Sequence, residues 1–170
     1  DPTRTGYTFK EWDKAYNNIT GDLTVKAVYT INQYTIKFDT NGGTTIAAII
    51  QDYGTTVTAP ANPTKAGYTF IGWDKDIPTI MPTENMTITA TWTANTYTIT
   101  FNANGGSVTP TTMTVTYDQP YVLPIPTRTG YTFAGWYNES TKYENGTWTL
   151  ADDITLIATW TINQYTYTFY

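Results

Sequence analysis

The chain has 170 residues, with 14 acidic side chains against 9 basic ones, and it contains neither cysteine nor histidine. Disulfide and thiol chemistry is therefore excluded, and the side chain most often used as a general base and zinc ligand is missing. The basic residues form no cluster within the net charge of -5, so we expect no nucleic-acid partner. No apolar run approaches the roughly 20 residues of a membrane-spanning helix, and we expect no membrane insertion.

The composition favours β-structure. Forty residues are threonine, fifteen are tyrosine and six are tryptophan, and these types fit the half-buried surface of a sheet. A threonine-rich, acidic chain without cysteine is typical of a bacterial surface protein, so we expect an extracellular or cell-surface location. Because the chain begins with Asp1 rather than Met, we expect it to be a segment of a longer or processed protein.

Two motifs recur along the chain. Residues 2–12 read PTRTGYTFKEW, and closely similar segments return at 63–73 and 126–136, with offsets of 61 and 63 residues. A second motif, YTIKFDTNGG at 34–43, returns at 97–106 as YTITFNANGG. The beginning of that second motif appears once more near the end of the chain, as YTYTF at 165–169.

These recurrences define a tandem array with a unit of about 63 residues. The predicted complete units are 31–93 and 94–161. Residues 1–30 are predicted to be the second half of a unit, and residues 162–170 the first strand of a further one.

Each complete unit is predicted to contain four main strands with little helix. In the second unit these are residues 97–101, 113–117, 131–136 and 154–160. An Asn-Gly-Gly turn follows the first strand. The last-strand pattern also appears at Leu23–Tyr29 in the half unit, and residues 46–51 are interpreted as strand rather than a helical turn.

The third strand leaves one question open. Tyr131 and Phe133 share a face, whereas Trp136 falls on the opposite parity. A bulge at Gly135 would return Trp136 to the core; the alternative is that Trp136 packs on the other face. The aromatic residues predicted to fill the cores are Tyr68, Phe70, Trp73, Trp92, Tyr131, Phe133, Trp136 and Trp160.

The joints between units are short. Residues 93–96 and 161–164 link a last strand almost directly to the next first strand and contain no glycine or proline. We expect these linkers to be stiff, and we expect contacts between neighbouring units to add stability. A stiff array would scatter X-rays as an elongated particle.

No constellation in the sequence points to catalysis. The acidic pairs Asp74/Asp76 and Asp152/Asp153 lie outside ligand-dense runs and are interpreted as solvated loop residues. Trp148 and Tyr143, in the loop 137–150 that the earlier unit lacks, are the best candidates for exposed contacts with a glycan. The alternative for both is packing at the core or its rim.

The ends of the array suggest a third hypothesis. Tyr165, Tyr167 and Phe169 form a first strand without a partner, and they could add to the incomplete unit of another chain. Repeated head to tail, such strand donation would give a filament. The simpler alternative is that neighbouring repeats of a longer chain complete both ends.

The combined pattern Y-T-[IV]-x-F-x-x-N-G-G, a Tyr-Gly or Tyr-Asp corner, and P-T-[RK]-x-G-Y-x-F-x-G-W resembles the Listeria–Bacteroides repeat, the B-repeat of internalin-type surface proteins. Both complete units match at 34–92 and 97–160. The half unit matches at 2–12, with Glu11 in place of the usual glycine. The resemblance implies a small β-grasp-like, ubiquitin-like module in tandem on extracellular bacterial proteins, acting as a spacer or in adhesion, without catalytic residues.

We therefore predict a structural stalk, spacer or fibre segment rather than an enzyme, with no cofactor and no metal. The expected partners are neighbouring repeats of the same or an identical chain. The alternatives are an adhesin module that binds a host or matrix glycan or protein through loop 137–150, and a filament subunit assembled by strand donation.

Overall fold

The computed structural model describes residues 1–170, which form strands, turns and irregular segments but no helix. The prediction of a mainly β chain with little helix is confirmed. Contacts between Cα atoms divide the chain into two compact units. Unit 1 comprises residues 1–65 and 70–92, and unit 2 comprises residues 66–69 and 93–170. The predicted boundaries between repeats stay a prediction.

Unit 1 contains two β-sheets, one of two strands and one of four. Its strands are β1 (Tyr7–Trp12), β2 (Ala27–Ile31), β3 (Gln33–Asp39), β4 (Ile49–Asp52) and most of β5 (Tyr68–Trp73) and β6 (Met86–Ala94). β1 and β2 form an antiparallel pair. The other four follow the order β4-β3-β6-β5, with β3 and β4 antiparallel and the central strands β3 and β6 parallel.

Unit 2 repeats this plan and extends it. Its strands are β7 (Thr96–Asn102), β8 (Thr112–Thr116), β9 (Pro120–Tyr121), β10 (Tyr131–Asn138), β11 (Thr141–Tyr143), β12 (Gly146–Thr147) and β13 (Ile154–Ile162). The main sheet has the order β11-β10-β13-β7-β8, with β7 and β13 as the parallel central pair. β9 and β12 form a separate antiparallel pair.

Alternation along the central strands places the cores on one face of each sheet. In β13, Leu156 and Ala158 are fully buried while Thr155 and Ile157 face solvent. The buried cluster of unit 1 is Ile36, Val57, Met81 and Ile88. The buried cluster of unit 2 is Ile99, Phe101, Val115, Leu123, Trp136, Trp148, Leu156 and Ala158. No polar or charged side chain is buried, so apolar burial of about 1.5–3 kcal/mol per large side chain stabilises each core.

The bulge in the third strand is present. The register of β10 on β13 shifts between Phe133 and Gly135, and this shift brings Trp136 to the core, where it is 2% exposed. Its indole N–H donates to the Pro124 carbonyl at 2.8 Å. The interpretation of Gly135 as the bulge that redirects Trp136 is therefore confirmed.

The other aromatic residues predicted for the core are half-buried. Several of them make edge-to-face contacts with other rings, as in the contact of Phe70 with Trp92 at 5.4 Å between ring centroids. Those residues are Tyr68, Phe70, Trp73, Trp92, Tyr131, Phe133 and Trp160.

Two predicted strands are shorter than their patterns. In the half unit, β2 begins at Ala27, and residues 23–26 are not strand. The corresponding residues Met86–Thr89 of β6 pair with β3, whereas residues 23–26 have no strand partner within residues 1–170. The segment 46–51 is strand only from Ile49 onward, where it pairs with β3.

Candidate functional site

Of the acidic residues considered for catalysis or calcium binding, Asp74 and Asp153 accept hydrogen bonds from backbone N–H groups of other strands. The Asp74 carboxylate accepts a hydrogen bond from the Thr89 backbone N–H at 2.6 Å. The Asp153 carboxylate accepts one from the Thr98 N–H at 2.8 Å. Residues 1–170 contain no group of three or more acidic side chains that could hold a metal ion.

Trp148 lies inside unit 2 rather than on its surface. Its side chain is 1% exposed and meets Tyr121 edge to face at 5.4 Å between ring centroids. Its indole N–H has no hydrogen-bond partner in the protein. The interpretation of Trp148 as an exposed contact for a glycan is therefore wrong, and its alternative, packing in the core, describes the side chain.

Trp148 is buried because loop 137–150 closes one end of the core. The Trp148 carbonyl accepts the Asp118 N–H at 2.8 Å. In unit 1, the Met81 carbonyl accepts the Gly54 N–H in the same way at 3.0 Å. Met81 is 0% exposed. The two residues thus hold the same place, although their loops differ in length. The signal in the sequence is a large apolar residue five or six positions before the last strand.

Tyr143 remains at the rim of this region. It is half-buried, and its ring lies 6.4 Å from that of Trp148 between centroids. Burial raises the pKa of the nearby Tyr121 hydroxyl above its ordinary value. On the outer edge, Lys142 donates to Glu144 at 2.8 Å, and this hydrogen bond lowers the pKa of Glu144 and raises the pKa of Lys142.

In unit 1, a set of hydrogen bonds and an aromatic contact connects the β1–β2 pair to the sheet β4-β3-β6-β5. The Asn32 N–H donates to the Gly6 carbonyl at 3.0 Å, and the Asn32 carbonyl accepts the Tyr53 N–H at 2.8 Å. The Asn32 side-chain oxygen accepts the Thr8 hydroxyl at 2.6 Å. Tyr53 lies edge to face with Tyr7 at 6.3 Å between ring centroids. We call this set of contacts the joint.

Glycine is required at the joint for two reasons. Gly6 has a φ of +76°, which side chains of L-residues rarely adopt, and a Cβ at this position would overlap the ring of Tyr53. The glycine is buried as a result. The face of the tyrosine therefore rests directly on backbone.

Unit 2 contains a second copy of the joint. The Asn95 N–H donates to the Gly67 carbonyl at 2.9 Å, and the Asn95 carbonyl accepts the Tyr117 N–H at 2.9 Å. Gly67 has a φ of +76°, and a Cβ there would overlap the ring of Tyr117. The copy adds a hydrogen bond from the Tyr68 hydroxyl to the Asp118 carboxylate at 2.7 Å, and this bond raises the pKa of Tyr68.

The sequence predicts the joint only coarsely, through short linkers and a Tyr-Gly or Tyr-Asp corner. No short pattern pairs Tyr53 or Tyr117 with its glycine. The usable signal is that each tyrosine follows the second strand of a repeat and precedes a residue with positive φ, Gly54 at +75° or Asp118 at +58°.

The C-terminal segment beyond β13 has no strand partner in this structure. Tyr165, Tyr167 and Phe169 are 74%, 86% and 93% exposed, and none lies in a strand. The hypothesis that they are donated to another chain stays a prediction. No helix in the chain is long and apolar enough to cross a membrane.

Comparison with known proteins gives consistent matches across the chain. A protein of Evansella cellulosilytica, provisionally named a membrane protein, is 31% identical over an alignment of 186 positions. The alignment covers 96% of this chain and 28% of that protein. Internalin H of Listeria monocytogenes is 37% identical over 149 residues, covering 76% of this chain and 25% of that protein. The chain thus spans about a quarter of the length of these relatives.

Among solved structures, domains 3-4 of the Streptococcal High Identity Repeats in Tandem of a cell surface protein align with 77% of this chain and 98% of that chain. The identity is 18% and the TM-score is 0.26. A likeness at this level carries no argument about the fold.

The model of the Listeria-Bacteroides repeat domain matches three successive segments, residues 1–32, 34–91 and 97–159. These segments contain the Pro-Thr-[Arg/Lys]-x-Gly-Tyr loops, the Asn-Gly-Gly turns, and the glycines and tyrosines of both copies of the joint. The chain belongs to the Listeria-Bacteroides repeat domain family.

Proposed function

We propose that the chain is a structural segment, a stalk or spacer, of a bacterial protein that is exposed at the cell surface or secreted. The names of relatives as membrane proteins and as an internalin support such a location. The main sheet of each unit has a parallel central strand pair, an arrangement in keeping with a β-grasp-like module. The role needs no catalytic group and no cofactor, and its partners are neighbouring repeats.

The observation that carries this proposal is the joint in unit 1. A spacer transmits position only if consecutive modules resist bending, and a linker made of isolated residues would not do so. At Asn32, both backbone groups and the side chain are hydrogen-bonded. Tyr53 closes the joint from the following sheet. These contacts bind the β1–β2 pair to the β3–β6 sheet through backbone as well as side chains.

Backbone ¹⁵N relaxation tests the stiffness of this joint. We expect the order parameters of residues 31–33 to equal those within β3, about 0.85. In Tyr53→Ala, the amides of β1 and β2 should become more mobile than those of β3. The control Tyr16→Ala removes a tyrosine of the half unit that is 60% exposed, and it should leave them unchanged. A linker that is already mobile in the unmodified chain would contradict the spacer role.

Strand donation is the second candidate, favoured by one specific observation. Residues 23–26 of the half unit lack the parallel partner that Met86–Thr89 have in β3. The segment 165–169 (YTYTF) resembles residues 34–38 of β3 (YTIKF) and is exposed. The occupant we propose is that segment from a second copy of the chain, with Tyr165, Tyr167 and Phe169 in the places of Tyr34, Ile36 and Phe38.

Sedimentation velocity over a wide concentration range tests donation. The assembled species should grow with concentration, and Phe169→Asp should reduce it because a buried carboxylate is strongly disfavoured. The matched control is Thr168→Asp, on the opposite face of the donated strand. A chain that stays monomeric at millimolar concentration, or equal behaviour of the two variants, would sink this candidate.

The glycan-binding alternative has lost its main residue. With Trp148 in the core, the aromatic residues that loop 137–150 leaves partly accessible are the half-buried Tyr137 and Tyr143. We therefore do not propose a stacking platform in this loop.

A further inference from the structure

The sequence contains three copies of the loop that begins each joint, and two of them are filled. Gly6 receives the ring of Tyr53, and Gly67 receives the ring of Tyr117. Both glycines are buried. Each tyrosine is the residue directly after the second strand of a repeat, β4 or β8.

The third copy, at Gly130, has the same internal hydrogen bonds. The Asn163 N–H donates to the Gly130 carbonyl at 2.9 Å, and the Thr132 hydroxyl donates to the Asn163 side-chain oxygen at 2.7 Å. Gly130 has a φ of +80°, close to the +76° of the filled copies. The guanidinium of Arg128 lies over the ring of Tyr131 at 3.9 Å, as Arg4 lies over Tyr7 at 3.9 Å.

The difference lies in what covers the glycine. No heavy atom lies within 4 Å of where a Cβ on Gly130 would be, and the residue is half-buried instead of buried. The backbone half of the joint is thus already formed, and the face that carries a tyrosine in the other two copies is open.

We propose that Gly130, Tyr131, Thr132 and Asn163 form an acceptor site for the tyrosine turn of a further repeat of this family, placed after Asn163. The site would take a tyrosine ring on the Gly130 backbone, edge to face with Tyr131, and would accept the tyrosine N–H at the Asn163 carbonyl. Preformed hydrogen bonds reduce the ordering that binding would otherwise require.

The rest of the chain identifies the occupant. The two tyrosine turns of this chain are engaged at Gly6 and Gly67, so a second copy of the chain has none free to offer. Residues 165–169 (YTYTF) resemble residues 34–38 of β3 (YTIKF) and 97–101 of β7 (YTITF), the first strands of the repeats that supply the tyrosines of the filled copies. A repeat that continues from Asn163 is therefore the partner that fits. The inference rests on the proposed spacer role, because it extends the same joint by one step.

The first test compares glycines within the unmodified chain. Gly67→Ala and Gly130→Ala both place a side chain at positive φ, which alone should lower Tm by an amount on the order of 10 °C or less. Gly67→Ala must also displace Tyr117, so its loss should be clearly larger. Equal losses would show that the tyrosine contact contributes nothing to the joint, which would overturn the spacer argument as well.

The second test extends the full chain. A second copy of residues 96–163 is joined after Asn163 in place of residues 164–170, which recreates the natural Asn95–Thr96 connection. We expect Gly130→Ala to lower Tm in this extended chain at least twice as much as in the original. With Tyr117→Ala in the appended copy alone, that excess should disappear. The Gly130 and Thr132 amide resonances should also shift on extension.

Two outcomes would overturn the acceptor site. One is an equal effect of Gly130→Ala in the original and extended chains. The other is an appended repeat that stays unfolded, since a repeat seated on a formed acceptor should be as stable as its copy in unit 2. Either outcome, combined with a large loss in Gly67→Ala, would reject the acceptor while leaving the spacer role intact.

Discussion

Two tryptophans of unit 2 are almost equally buried but differ in what their indole N–H groups bind. Trp136 donates to the Pro124 carbonyl, whereas the N–H of Trp148 has no partner. Replacement by phenylalanine removes a similar volume at both sites, but only Trp136→Phe breaks a hydrogen bond. We expect Trp136→Phe to lower the free energy of unfolding by about 1 kcal/mol more than Trp148→Phe. Urea denaturation measures the difference, and the reverse order would contradict these roles.

Tyr68 gives the joint of unit 2 a dependence on pH. Its hydroxyl donates to Asp118, and this bond favours the neutral phenol and raises its pKa above the ordinary value. The stabilisation is therefore fully present below pH 10 and is lost as the pH rises through the raised pKa. In NMR titrations of ¹³C-labelled tyrosine, Asp118→Ala should return the Tyr68 pKa toward its ordinary value. Asp152→Ala should not, and an unchanged pKa in Asp118→Ala would refute the assignment.

At the level of single elements, a strand pattern becomes a strand only where a neighbour completes its hydrogen bonds. Residues 86–88 pair with β3, while the matching residues 23–25 are not strand. We expect the amides of residues 86–88 to exchange with solvent more slowly, by a factor on the order of 100 or more. Hydrogen exchange read by NMR checks this. Comparable protection in the isolated monomer would mean that residues 23–25 have a partner that this structure does not show.

The same dependence on partners explains what the sequence could and could not predict. Period-two alternation placed the main strands of unit 2, and the parity of Trp136 with the glycine before it left a bulge as one of two alternatives. Those signals are local. The burial of Trp148 depends on how loop 137–150 folds back over the core, and the pairing of Tyr53 with Gly6 joins residues far apart in the chain. Neither is encoded in a short pattern.

The two glycines of the Asn-Gly-Gly turn are required for different physical reasons. The Asn-Gly-Gly turn was predicted from its tolerance of positive φ, and Gly105 has a φ of +84°. Gly106, however, has no positive φ. A Cβ there would lie 2.5 Å from the Thr127 carbonyl oxygen and 2.7 Å from the Trp160 ring. Tertiary packing therefore leaves no space for a side chain at Gly106, and the turn pattern alone cannot reveal this.

For the whole molecule, stability should vary little with pH or salt around neutrality. The cores contain no buried polar or charged side chain, the chain has no histidine, and the ion pairs Lys10–Glu11 and Lys142–Glu144 are exposed. Exposed pairs contribute about 0–1 kcal/mol and are screened by salt. The urea midpoint should therefore stay nearly constant between pH 5.5 and 9 and between about 0.05 and 1 M NaCl.

Outside that plateau, stability should fall in both directions for different reasons. The hydrogen bond from Lys142 lowers the pKa of Glu144, so its contribution is present above the unfolded pKa near 4.3 and is lost as the pH falls through the lower folded value. Glu144→Gln should flatten only the acid side, and Tyr68→Phe should flatten only the alkaline side. A steep change of the urea midpoint between pH 6 and 8 would require a titrating group in that range. Such a result would contradict the conclusion that the apolar cores and the backbone hydrogen bonds of the joints stabilise the chain.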